Sequence, residues 1–253
     1  MFFWIARVLR LKAGQMPSRI SMYQGRKKRY IFAAIVAVPV ILVAFFVAEQ
    51  QHPYRNSKTW NFDSYPENSS IPNTFVPIDT GGVQAKGTWA VKTDATAPSK
   101  PNVLARLSND KTGSGYHMLI QAEGSYSNFE AGVKFKIISG REQQVAGFIV
   151  RFQDTNRYFV LQADAMNHRF SLCRAQPGII LCTQDTNVSI TIGQWHSITV
   201  QVAGAGGEPG IAGYLDGKRL LQRYDQNYMG GGQIGLWTKG DSTVYFDDLG
   251  VAY

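Results

Sequence analysis

The last eleven residues, TVYFDDLGVAY at 243–253, set two carboxylates side by side, Asp247 and Asp248. Paired carboxylates cleave glycosidic bonds, hold calcium, or tie loops together by accepting hydrogen bonds. Neighbouring side chains of a regular strand point to opposite faces. On that alternation Val244, Phe246 and Asp248 share one face, and Tyr245, Asp247 and Leu249 the other. A glycosidase pair must flank one bond from one cleft, about 5–9.5 Å apart. Adjacent strand positions meet that demand only at a bulge. Strand geometry thus counts against a catalytic pair and leaves structural hydrogen bonding as one reading. Structural calcium at Asp247 and Asp248 and catalysis stay open beside it. Asp63 and Asp241 are further oxygen donors for an ion, although no EF-hand spacing is present.

Other catalytic signatures are missing. Outside the first 48 residues the glutamates are Glu49, Glu67, Glu123, Glu130, Glu142 and Glu208, and none pairs with a second carboxylate at strand spacing. The histidines, His52, His117, His168 and His196, form no H-x-H or H-E-x-x-H. No G-x-S-x-G presents a serine nucleophile. The glycine runs GAGGEPG and GGG join strands and read as turns. No haem, flavin or nucleotide motif is present, so no cofactor is expected beyond the calcium reading. The chain reads as non-catalytic, with a glycoside hydrolase-like activity as the alternative.

A sugar site is harder to dismiss. Such sites stack a ring on an aromatic side chain and hold its hydroxyls with Asp, Asn, Gln or Arg. Trp89, Trp195, Trp237 and Tyr158 are the aromatic candidates. Arg151, Asp154, Asn156, Tyr158 and Trp237 make up the expected carbohydrate-binding set. The tryptophans serve a sandwich core equally well, and Trp195 reads as core. Arg151 alternates out of phase with Phe148, Val150 and Phe152, so it is expected on the opposite face, near Gln162 or paired with Asp164.

These residues sit on strands. NFEAGVKFKI alternates Phe129, Ala131, Val133, Phe135 and Ile137 against polar neighbours, as a half-buried strand does. GFIVRF and RYFVLQA form a hairpin around Gln153–Asn156. Asp216-Gly217 is a second turn signal. Short strands with turns every eight to twelve residues, and no long amphipathic helix, predict an all-β sandwich or jelly roll over residues 60–253. Cys173 and Cys182 flank RAQPGIIL. A two-residue loop at Pro177-Gly178 puts them directly opposite at a non-hydrogen-bonded pair, where a disulfide fits. A redox or metal role lacks the C-x-x-C spacing.

The N-terminus differs. Residues 1–48 hold eight basic residues and no acidic one, and the rest of the chain is neutral. A neutral main domain argues against nucleic acid. Tyr30 to Ala48 contains no charge and, at about 1.5 Å per residue, just spans a hydrocarbon core of roughly 30 Å. A cleaved signal peptide has a shorter apolar stretch and small residues before its cut, so residues 30–48 are read as one transmembrane helix. Arg26, Lys27, Lys28 and Arg29 keep residues 1–29 cytoplasmic. Phe2, Phe3 and Trp4, among basic residues, suit an interfacial helix or partner docking. Residues 49–59 read as a linker. The expected location is a bacterial inner membrane, with the sandwich in the periplasm.

Six motifs then occur in order: WAVKTD at 89–94, FEAGVKFK at 129–136, AGFIVRFQDTNRYFV at 146–160, QWHSITV at 194–200, GYLDGK at 213–218 and GQIGLWTKGDSTVYFDDL at 232–249. Together they resemble the bacterial laminin-G-like jelly-roll domain of the 3-keto-disaccharide hydrolase type, within the concanavalin A-like lectin/glucanase fold. The resemblance covers residues 60–253. It implies a concanavalin A-like jelly-roll β-sandwich, here preceded by the transmembrane helix. It also implies that an Asp of the F-D-D-L strand ties down loops or a structural calcium. The E-x-D-x-x-E motif of the related glucanases is absent. The reading is a membrane-anchored interaction module, an accessory subunit of a membrane protein complex, with energy-transducing respiratory or photosynthetic assemblies among the candidates. The lipid bilayer and other membrane subunits are then its partners. The alternative is a lectin-like module, or weak glycoside hydrolase, acting on envelope sugars.

Overall fold

Phe129, Ala131, Val133, Phe135 and Ile137 are all buried, as their alternation predicts. They lie on one strand of a two-sheet sandwich. The structure, a computed structural model, describes residues 54–82, 87–108, 114–203, 210–224 and 230–253. The expected cytoplasmic arm with Phe2, Phe3, Trp4 and Arg26–Arg29, the expected span 30–48 and linker residues 49–53 lie outside these residues. Among the described residues no helix is long and apolar enough to cross a membrane.

The strands are β1 (Ser57–Trp60), β2 (Phe75–Thr80), β3 (Thr88–Thr93), β4 (Asn102–Leu107), β5 (Tyr116–Gln121), β6 (Phe129–Ser139), β7 (Val145–Asp154) and β8 (Arg157–Asp164). They continue as β9 (Arg169–Gln176), β10 (Ile179–Asn187), β11 (His196–Ala203), β12 (Gly210–Leu215), β13 (Lys218–Tyr224), β14 (Gln233–Lys239) and β15 (Thr243–Ala252). The first sheet runs β13-β12-β11-β6-β15-β4-β3, with β1 added beside the end of β15. The second runs β10-β9-β8-β7-β14-β5-β2. The consecutive pairs β6/β7 and β14/β15 each split between the two sheets, which closes them on one core. That core holds Phe135, Phe148, Phe159, Phe170, Phe246 and their aliphatic neighbours from both inner faces. The expected domain start at Trp60 falls inside β1, because Ser57, Lys58 and Thr59 pair with Ala252, Val251 and Gly250. Backbone pairing at an edge needs no apolar side chain, so these polar residues did not read as a strand.

The hairpins follow local chemistry. Pro177-Gly178 turns β9 into β10, Gly178 taking the positive φ of 76° that glycine permits. Cys173 and Cys182 are register partners and form a disulfide. Closing a loop of this length stabilises the fold by about 2.5–3 kcal/mol on the chain-entropy model. Asp216-Gly217 likewise turns β12 into β13.

Among the register shifts of the two sheets, two fall at expected site residues. The pairing of β7 shifts between Val150 and Asp154, with Arg151 at φ 53°. The pairing of β15 shifts between Asp247 and Gly250, with Asp248 at φ 47°. A bulge inserts one residue and reverses the facing of everything beyond it. Phe148 and Val150 therefore join the inter-sheet core while Phe152 lies on the opposite face. Leu249 joins Val244 and Phe246 in that core, against the simple alternation.

Candidate functional site

The second sheet is apolar on both faces. Its inner face supplies Leu119, Phe148, Leu161 and Leu236 to the main core. Its outer face carries a separate layer that includes Met118, Ile149, Val160, Cys173 and Trp237, all fully buried. Trp237 sits over Gly147, where a Cβ would come within 2.9 Å of the indole. Glycine at 147 therefore clears the space for the ring. Tyr116 stacks on Trp237 with ring centroids 5.2 Å apart and planes at 25°. Tyr158 lies beside them, and burial pushes its hydroxyl pKa up to about 12, so it stays a protonated donor and acceptor.

Where this layer meets the turns, it opens into a cavity of about 130 Å³. Thr80, Tyr116, Asn156, Tyr158, Gln176 and Ile180 line it. Thr80 ends β2, Tyr116 begins β5 and Gln176 ends β9 at the β9–β10 turn, while Asn156 comes from the β7–β8 turn. A second concavity of about 460 Å³ adjoins it and shares Asn156 and Gln176. Asp154, Arg157 and Arg174 line that one. Asp154 accepts from the Asn156 N–H at 2.8 Å and from Arg157 Nε at 2.7 Å. These bonds, the backbone one foremost, hold its carboxyl below the usual range. The two turns thus present amides, hydroxyls and a guanidinium around two tyrosine rings.

Of the expected carbohydrate set, the structure gathers Asn156 and Tyr158 at the cavity and Asp154 beside it. Trp237 lines neither concavity; it supports Tyr116 from below, fully buried. Arg151 is 1% exposed, sits at the bulge of β7 with φ 53°, and lines neither. Asp164 is held instead by Asn167, at 3.0 and 2.8 Å. Trp195, expected in the core, is half-buried on the outer face of the first sheet, with Lys136 Nζ 5.2 Å over its ring. Sequence reasoning missed Tyr116, Gln176 and Thr80. The alternation of Tyr116, Met118 and Ile120 was the available signal for Tyr116. His117 and His196 each meet their own aspartate, Asp79 at 2.7 Å and Asp216 at 2.8 Å, and share no site.

Asp247 and Asp248 are occupied by their own chain. Asp247 accepts from the Ser99 N–H at 2.9 Å and the Asp248 N–H at 2.8 Å. The Ser99 hydroxyl lies 2.7 Å from Asp63 Oδ2 and 3.3 Å from Asp247 Oδ1. Burial pushes the Asp247 carboxyl up to about 6 against those N–H groups, and the charges of Asp248 and Asp63 push the same way. Asp248 pairs with Lys134 at 2.9 Å. Asp241 accepts three backbone N–H groups, from Arg141, Glu142 and Gln143. N–H donors and an ammonium fill these carboxylates, an arrangement that does not fit calcium. Among the described residues no group of three or more His, Cys, Asp or Glu could hold a metal ion.

No family model matches the chain, and no curated protein does. Solved structures do match. A carbohydrate-binding module of type CBM66 from Bacillus subtilis aligns with TM-score 0.55 and 15% identity, over 71% of this chain and 96% of that one. A cellulose-induced protein aligns with TM-score 0.56 and 12% identity, over 77% and 96%. A β-glucanase from Bacillus licheniformis aligns with TM-score 0.51 and 10% identity, over 79% and 99%. At these identities the likeness establishes the jelly-roll, concanavalin A-like fold.

Proposed function

We propose that the sandwich is a non-catalytic glycan-binding module. The observation that carries this reading is the cavity between the two turns. Tyr116 and Tyr158 supply aromatic surface, and Thr80, Asn156 and Gln176 supply groups that both donate and accept. A sugar has an apolar ring face and a rim of hydroxyls, so it matches both components. The cavity lining contains no carboxylate. Glycoside hydrolysis usually needs two, and Asp154 next door is already held by Arg157. The fold neighbours, a carbohydrate-binding module among them, are consistent with the reading. The test is calorimetric titration of the full-length protein in detergent with cellopentaose, laminaripentaose and a peptidoglycan-derived disaccharide. Tyr116→Ala and Asn156→Ala should each weaken the binding seen by about tenfold or more, a loss of about 1.4 kcal/mol. Binding unchanged in both variants, or no binding to any of the three, refutes the assignment.

A second reading rests on the β10 edge. Ile179 is 55% exposed and Leu181 46%, on an edge strand that carries neither Lys nor Pro. Such an edge suits a protein partner. Under this reading residues 30–48 anchor the chain in a bacterial inner membrane, and the periplasmic sandwich is an accessory subunit of a membrane complex. Mild-detergent purification from native membranes should then recover a fixed set of membrane proteins at constant ratio, and Leu181→Lys should release them. A chain that purifies alone removes this reading.

A further inference from the structure

The β9–β10 hairpin supplies Gln176, Gly178, Ile179 and Ile180 to the tyrosine cavity. β10 is the edge of its sheet, and among the described residues its strand partner is β9 alone. The register of that pair shifts between Cys182 and Gln184, which divides β10 in two. From Thr183 onward the strand is tied to β13: the Gln222 N–H donates to Gln184 at 2.9 Å, and the Arg223 guanidinium donates to the Thr183 hydroxyl. Before the shift, Ile179, Ile180 and Leu181 form a short ladder on β9, with Ile179 55% and Leu181 46% exposed. The Cys173–Cys182 disulfide is the covalent tie at the end of this ladder.

Its two cysteines differ in surroundings. Cys173 is fully buried in the outer layer with Trp237 and Tyr158, whereas Cys182 lies on the exposed edge. The bond joins residues 9 apart in sequence, on strands that already pair. A loop this short gains the whole fold less than a long one would. The effect of the bond is therefore concentrated on the hairpin, which is one wall of the cavity. Holding a loop in its bound form raises affinity by removing the cost of ordering it.

We infer that this disulfide is a redox switch for the tyrosine cavity, opened by a dithiol reductant; the inference rests on the glycan-binding reading of that cavity. A thiolate of the reductant attacks the Cys182 sulfur, the bond between the two cysteines breaks, and Cys173 leaves as a thiolate that takes up a proton. The second thiol of the reductant then attacks the mixed disulfide, frees Cys182 as a thiol and leaves the reductant as a disulfide. The protein gains two electrons and two protons, and the dithiol loses them. Cys173 as a thiol behaves as a small apolar side chain and stays in its layer. The floor of Tyr116 and Tyr158 on Trp237 then persists, while the wall of Gln176, Ile179 and Ile180 loses its tie. In an oxidising compartment the bond stays closed and the site stays formed.

The experiment compares the full-length protein in detergent, oxidised and after dithiothreitol, by calorimetric titration with cellopentaose, laminaripentaose and the peptidoglycan-derived disaccharide. Thiol titration should find both cysteines free after dithiothreitol. Reduction should weaken the binding seen by about fivefold or more, and reoxidation with oxidised glutathione should restore it. Cys173→Ala combined with Cys182→Ala should bind as weakly as the reduced protein and ignore dithiothreitol. Hydrogen exchange should speed about tenfold or more over residues 176–182 while β7 and β14 keep their protection. Cysteines that stay bonded in dithiothreitol, or an affinity that stays within about twofold once both are free, overturn the switch and leave the glycan site standing. Weaker binding with protection lost throughout the sandwich overturns it too, since the bond then serves the fold as a whole. An oxidised protein that binds none of the three sugars removes the glycan site, and the switch with it.

Discussion

Trp237→Ala lowers the stability of the sandwich by about 3–5 kcal/mol, the range for emptying a buried aromatic site. The indole is fully buried on the outer face of the second sheet. Met118, Ile149, Val160 and Cys173 share its layer, and Gly147 leaves no side chain to fill the space it would vacate. The same substitution unseats Tyr116, which stacks on the indole at 5.2 Å. Sugar binding therefore falls as well, although Trp237 does not line the cavity. Trp237→Phe keeps an aromatic platform and should lose less than half as much stability. Urea unfolding of the three proteins measures this. A loss below about 1 kcal/mol for the alanine variant would mean that the outer layer does not act as a second core.

Asp247→Ala costs about 2–5 kcal/mol, because it strands the buried N–H groups of Ser99 and Asp248, each worth about 1–3 kcal/mol when left unsatisfied. The same carboxylate makes stability depend on pH with an unusual sign. Its folded pKa is raised to about 6, chiefly by burial, whereas an unfolded aspartate titrates near about 3.9. Between those values the folded state holds a proton that the unfolded state has released. The contribution is full below the unfolded value and is lost as pH rises through about 6. Burial disfavours the charged form, and the neighbouring charges of Asp248 and Asp63 add to that, against the N–H groups of Ser99 and Asp248. Asp247→Asn resembles the protonated form and should flatten this component. Urea midpoints of wild type and Asp247→Asn, taken at pH 4, 5, 6 and 7, isolate it as a difference, since the other carboxylates titrate in both proteins. The gap between them should change by on the order of 1–3 kcal/mol across that range, wild type losing ground as pH rises. A constant gap would place the proton elsewhere.

Local rules made part of this protein legible. A period of two along β6 identified its buried face residue by residue, because strand side chains alternate and only one face of β6 meets the core. Pro177-Gly178 and Asp216-Gly217 marked turns through backbone chemistry confined to two residues. Once the first turn was placed, counting outward brought Cys173 to Cys182. The ordered motifs carried the jelly-roll class, and the solved neighbours bear it out.

The site needed the tertiary structure. Asp247 and Asp248 looked alternate, and Arg151 looked out of phase with Phe148, Val150 and Phe152, because an inserted bulge residue leaves no mark in the local pattern. One such residue reversed the facing of Phe152 on β7 and of Leu249 on β15. Ser99 reaches Asp247 across 148 residues of sequence. Thr80, Tyr116, Asn156 and Gln176 converge because strand order brings their ends together, and strand order follows from how two sheets bury one core. Trp237 could be read as core or as site from composition alone. Only the second apolar layer, which removes the indole from solvent and leaves Tyr116 above it, separates the two roles. The chain determined its strands and turns by short-range sterics and alternation; which side chains meet was decided by long-range pairing, where the sequence separation is large and the local signal is nil.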